Sequence, residues 1–254
     1  MTASSSVQYG PRASLVRAAA GTLILLLALD ATPARAAAQQ PPPGPTPVQQ
    51  REPAPGQATA APPNLDLVGN RFAPLTWDAM TEEQRRVVRN ILDGPRNSLG
   101  GPFNVMLRSP EVADRVQALG ALARFNETLP ASLRELAIIM TARHWTSHFE
   151  WYAHKRAALA AGLDAAIVDA VASGSRPERM SAAERALYDF CRQLLETGRV
   201  DTPAFDAAVE AFGERGVVDA ITTVGYYSLV SMFLNVDEYP LPDGVEPELA
   251  PLAR

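Results

Sequence analysis

A single cysteine, Cys191, stands in 254 residues. It cannot form an internal disulfide, so in an oxidising compartment stability must come from a packed core. Cationic excess is missing as well. The formal net charge is −5, which argues for no nucleic acid partner and no anionic lipid surface, since both demand a basic face. No window shows the two-residue alternation of a half-buried strand, and no sequence period repeats.

What is present begins with a three-part leader. Arg12 and Arg17 precede an uncharged run of twelve residues from Ala18 to Leu29, followed by the small-residue stretch Ala34-Arg35-Ala36-Ala37. This is the pattern of a secretory signal, with cleavage expected after Ala36. The run falls short of the roughly 20 residues that a membrane-spanning helix needs, and no cysteine near the cut offers a lipid anchor. Residues 1–36 therefore read as a signal peptide and the protein as exported, periplasmic or secreted. Its loss takes the net charge to about −7. Residues 37–63 hold nine of the 22 prolines and read as a solvated, disordered linker. Residues 64–254 are left as one domain.

Within that domain the period is helical. Thr81 caps a segment with Val87, Val88, Ile91 and Leu92 inward and Gly94 past its end. Ser109-Pro110 opens a helix carrying Val112, Val116, Leu119 and Leu122. Ser132, Ser147 and Ser181 each have a Glu three residues on, the capping-box pattern, and Thr202-Pro203 starts another helix. Short Gly or Pro turns between these segments point to an all-α bundle. Pro95 to Met106 is the one long irregular piece, of a size that often covers something. Val217 to Val236 is 20 residues and mostly apolar. Asp219, Asn235 and four hydroxyls favour a central buried helix, bent at Gly225 or buried between subunits, over a stable membrane span.

All three histidines, His144, His148 and His154, fall within eleven positions. Glu135 lies on a helix apolar nearly all round. Its carboxyl is either an interior acid/base group with a raised pKa or the cap partner of Ser132. The same two readings apply to Glu150 beside Ser147. Ser147, Glu150 and His154 lie within about 60° of one another on a helix, and a carboxylate four residues before a histidine can hold its ring and set its tautomer. Trp151 reads as core rather than substrate stacker. Arg143 is either a cationic clamp for a carboxylate or a complement to its helix C-terminus. Tyr226, Tyr227 and Asn235 are candidates to line the same pocket.

From about Pro95 to Pro242 the chain resembles the carboxymuconolactone decarboxylase family, which also contains the AhpD-type alkylhydroperoxidases. The resemblance rests on GPFNVMLRSPEVADR (Gly101 to Arg115), LRELAI (Leu133 to Ile138), ARHW (Ala142 to Trp145), EWYAH (Glu150 to His154) with AGL (Ala161 to Leu163), and GYYSLVSMFLN (Gly225 to Asn235). It implies an AhpD-like helical bundle and a homo-oligomer, commonly a trimer or a multiple of it. The peroxidase branch places a Glu on one helix, a Cys-x-x-Cys on the next and a His four residues later. Glu135 and His154 fit the Glu and His, whereas Ser147 and Glu150 occupy the cysteine positions. Without a thiolate and a resolving thiol, peroxidase chemistry is lost, and Cys191, in the core phase of its helix, does not restore it.

The remaining implication is decarboxylase-like proton transfer on a small carboxylated lactone or enol(ate), with no metal and no cofactor. In that reading His154, Glu135 and Glu150 are catalytic, and Arg143, Ser147, Trp151 and Tyr226 bind substrate. Two other readings stand beside it. One is a non-catalytic binding or assembly protein on the same fold, which the exported, tethered form favours. The other is a metal site using His144 and His148 at i, i+4, which a helix break at Trp145 to Ser147 would destroy.

Overall fold

Every regular element among the described residues is helical, in keeping with the missing strand alternation. The structure, a computed structural model, describes residues 61–62, 65–125 and 128–252. The leader and nearly all of the proline-rich linker lie outside the described residues. A 3-10 turn at Trp77–Ala79 precedes α1 (Glu82–Asp93), α2 (Phe103–Met106), α3 (Pro110–Phe125) and α4 (Ala131–His144). Then follow α5 (His148–Ala160), α6 (Ala165–Ser173), α7 (Ala182–Thr197) and α8 (Thr202–Asp237).

Two of the expected caps form as written. Thr81 and Gln84 make a reciprocal capping box on α1, and Ser181 and Glu184 make one on α7. The boxes expected at Ser132 and Ser147 do not form. Helix α4 begins at Ala131, behind Pro130. Ser147 is the N-cap of α5, but its side chain makes no cap bond and its hydroxyl is buried without a partner. Glu135 and Glu150 are engaged elsewhere. For α8 the capping oxygen belongs to Asp201, which accepts from the Ala204 amide at 2.9 Å, and Thr202 is the first helical residue.

Helix α4 runs through the middle of the molecule. Leu136, Ala137, Ile138 and Ile139 are fully buried, and α5, α6, α7 and α8 pack on it. A helix apolar all round has no face to give to water, and each of the leucine and isoleucine side chains contributes about 1.5–3 kcal/mol on leaving it. Cys191 joins the same core, where burial pushes its thiol up to about 12. That thiol stays neutral and inert.

Helix α8 is 36 residues long, with a mean hydropathy of 1.4 over its most apolar window, so by length and composition it could cross a membrane. Half of that window is buried, with Val217, Ala220, Val224, Val230 and Leu234 packed inward. The bend expected at Gly225 is at Gly213, whose φ of 68° and ψ of 170° suit only glycine. Helix α3 also differs from expectation. Val112, Leu119 and Leu122 face outward, Leu122 with 66% of its surface exposed, while Ala113, Gly120 and Ala123 turn inward. The small face allows close approach to α8, because a Cβ on Gly120 would meet the Tyr226 hydroxyl at 2.2 Å.

The N-terminal strap before α1 is tied to the far end of α8. Asp237, fully buried, accepts from the Phe72 amide at 2.8 Å and the Asn70 amide at 3.2 Å through one carboxylate oxygen. Asn104 of α2 clasps the same strap, donating to the Phe72 carbonyl at 2.7 Å and accepting from the Leu75 amide at 3.0 Å.

Candidate functional site

Three ionisable side chains meet between α4 and α5. His154 Nδ1 lies 2.6 Å from Glu135 Oε2, and its Nε2 lies 3.0 Å from Glu150 Oε1. All three residues are buried. Local structure explains the meeting. The α4–α5 turn is tight, with Thr146 at a φ of 48° and the Ser147 amide donating to the Ala142 carbonyl at 2.8 Å. It folds α5 back along α4, so that Glu135, near the start of one helix, faces His154 on the next. Glu150 and His154 then share one face of α5 at i, i+4 spacing. Asn235 of α8 closes the turn by donating to the Trp145 carbonyl at 2.8 Å, so it is bonded to this turn and does not face the histidine.

Burial alone would strip the proton from His154. The two carboxylates outweigh it, Glu150 by its charge and Glu135 by its hydrogen bond, and the imidazole pKa rises to about 9. Near neutrality it is an imidazolium with a carboxylate at each nitrogen. The Tyr227 ring stands edge-on to it, centroids 4.9 Å apart. The Tyr227 hydroxyl is buried with no hydrogen-bond partner, and burial raises its pKa.

A pocket of about 60 Å³ opens onto this group. Glu150, His154, Tyr226 and Tyr227 line it, and Arg96 and Arg124 bring two positive charges. Glu135 lies behind the imidazole and is not part of the lining. The segment after α1 forms the roof, but it is irregular only as far as Pro102, because Phe103–Met106 of the expected irregular piece is α2. Arg96 donates to the Tyr226 hydroxyl at 3.2 Å, and the Gly101 amide donates to the Tyr239 hydroxyl at 3.2 Å. Gly101 has a φ of 84°, a conformation open to glycine and strained for other residues.

The structure therefore brings Glu135, Glu150, His154 and Tyr226 together and places the other three expected residues elsewhere. Arg143 lines a different hollow, where Nη1 donates to Thr146 Oγ1 at 3.5 Å. Ser147 sits in the helix turn. Trp151 is a core residue whose indole donates to Glu248 at 3.1 Å. The cations facing the histidine are instead Arg96 and Arg124, which sequence reasoning missed because neither lies near the histidine motif. A roof loop rich in glycine was the available signal for Arg96. Nothing local marks Arg124. His144 and His148 fall on opposite sides of the helix break, so the i, i+4 metal spacing does not exist. Among the described residues no group of three or more His, Cys, Asp or Glu is arranged to hold a metal ion.

Compared with known proteins, the chain matches no family model and no curated protein.

Proposed function

We propose that this is an exported, cofactor-independent acid/base enzyme of carboxymuconolactone decarboxylase type, acting on a small carboxylated lactone or enol(ate). The observation that carries the reading is a buried His154 ring with a glutamate carboxyl group at each nitrogen, opening onto a pocket that Arg96 and Arg124 also line. Arg96 and Arg124 are suited to take the substrate carboxylates. Loss of carbon dioxide breaks a carbon–carbon bond and leaves its electron pair delocalised as an enolate. The unpartnered Tyr227 hydroxyl is placed to donate to the enolate oxygen. The Nε2 proton of His154, shared with Glu150, forms the new carbon–hydrogen bond, and a proton taken up from solvent restores the ring, one consumed for each carbon dioxide released. Glu135 holds the ring from behind and fixes its orientation.

The test is turnover of a panel of γ-lactone acids and β-keto acids by the full chain, followed by carbon dioxide release. His154→Gln should abolish it, a drop of at least about 10²-fold for a lost general acid. The absence of turnover by the unaltered protein on the whole panel, or equal turnover by the variant, removes the reading. The second reading, a binding or assembly protein, is favoured by the small pocket and by the engagement of both imidazole nitrogens. Co-purification of a stoichiometric small acid without turnover supports it.

The family resemblance implies a homo-oligomer, a trimer or a multiple of it. The outward apolar residues of α3 and α8 support association, since Leu122, Phe125, Val218 and Ile221 are 66%, 44%, 59% and 46% exposed on two helices packed against each other.

A further inference from the structure

A second hollow, of about 830 Å³, opens between the C-terminal end of α4, the end of α6, one face of α7 and the tail residues Pro251 and Leu252. It shares no lining residue with the histidine pocket. Met140, Val171, Leu195 and Leu252 give it an apolar side in a lining of mixed character. The polar groups that matter are donors. Arg143 is 5% exposed, and its Nε is buried with no hydrogen-bond partner. Among the described residues it forms no ion pair. Its neighbour Trp145 likewise has its indole N–H buried without an acceptor. The other cation in the hollow, Arg192, is already neutralised by Glu196 at 2.9 Å, so the uncompensated charge belongs to Arg143.

An unpaired buried donor is costly, and more so when it is charged, and here two residues that line one hollow, Arg143 and Trp145, each carry such a donor. An acceptor carrying negative charge would satisfy both. We propose that this hollow binds a small organic carboxylate with an apolar body. Its oxygens accept from Arg143 and the Trp145 indole, and its body lies on Met140, Val171 and Leu195. The site is separate from the acid/base centre, since eight residues of α4 set Glu135 and Arg143 about 12 Å apart along the helix.

The experiment follows the indole N–H signals of the ¹⁵N-labelled full chain during titration with phenylacetate, and with phenylacetamide as its neutral counterpart. The chain has three tryptophans, and the spectrum of Trp145→Phe assigns the relevant signal. A saturable shift of the Trp145 indole by phenylacetate is expected, at least about tenfold weaker for the amide and in Arg143→Gln, the worth of one charge-assisted bond. His154→Gln should bind phenylacetate as the unaltered chain does. An unmoved Trp145 signal overturns the proposal, as do equal affinities for acid and amide, or loss of binding in His154→Gln. If Arg143→Gln does not fold, the acid and amide comparison on the unaltered chain decides alone. None of these outcomes depends on turnover at His154.

Discussion

His154 shows how a residue's neighbours decide its chemistry. A lone buried histidine is neutral, but the carboxylates of Glu135 and Glu150 reverse that preference and hold the proton to about pH 9. The consequence for stability has a definite sign. Below about pH 6.5 the ring is protonated in folded and unfolded chains alike, and the pairing contributes fully. As pH rises from 6.5 to 9 the unfolded chain releases the proton while the folded chain keeps it, so stability falls. Above 9 this contribution is gone. The shift corresponds to an effect on the order of 3 kcal/mol. Denaturant unfolding of the unaltered protein across pH 6 to 9.5 should show this decline, and His154→Gln should flatten it. The same slope in both proteins would show that another group is responsible.

At the scale of the element, local rules describe most helices and fail where a side chain has a stronger distant partner. Thr81 and Ser181 cap as expected because the Oε1 of Gln84 stays free for the Thr81 amide while its Nε2 donates to the Leu107 carbonyl, and Glu184 accepts from the Ser181 amide. Ser132-x-x-Glu135 and Ser147-x-x-Glu150 have the same spacing, but both glutamates turn to His154, one of them 19 residues away. The apolar period of α3 marked a helix correctly yet misjudged its inner side, because α8 demands the small residues Gly120 and Ala123. Periodicity sees hydrophobicity and is blind to how closely a neighbouring backbone must approach. Similarly, Gly225 and Gly213 look alike in sequence, and only the backbone angles identify the bend. The strap held by Asp237 gives a prediction at this scale. Asp237→Ala leaves the Asn70 and Phe72 amides without an acceptor and should cost about 1–3 kcal/mol. Hydrogen exchange should then quicken at residues 70–75 before the rest of the domain. Unchanged protection there would mean that Asn104 and the bonds of Asn70, Arg71 and Ala73 to the rest of the domain secure the strap without Asp237.

For the whole molecule, the outward apolar residues of α3 and α8 predict association. The unaltered chain should sediment as an oligomer, a trimer or a multiple of it on the proposed family reading, and Leu122→Glu with Val218→Glu should shift it to monomer, with helicity by circular dichroism retained. A monomeric unaltered chain refutes this. A further consequence follows from where the roof and floor of the histidine pocket lie along the chain. The imidazole finds its carboxylates through a hairpin of neighbouring helices, but the chamber around it closes only when residues 96 and 101 meet residues 226 and 239, separations of 130 and 138 positions. Loops of that length are slow to close. The enclosure therefore depends on contacts far apart in the chain, whereas the pairing of His154 with its carboxyl groups depends only on two successive helices.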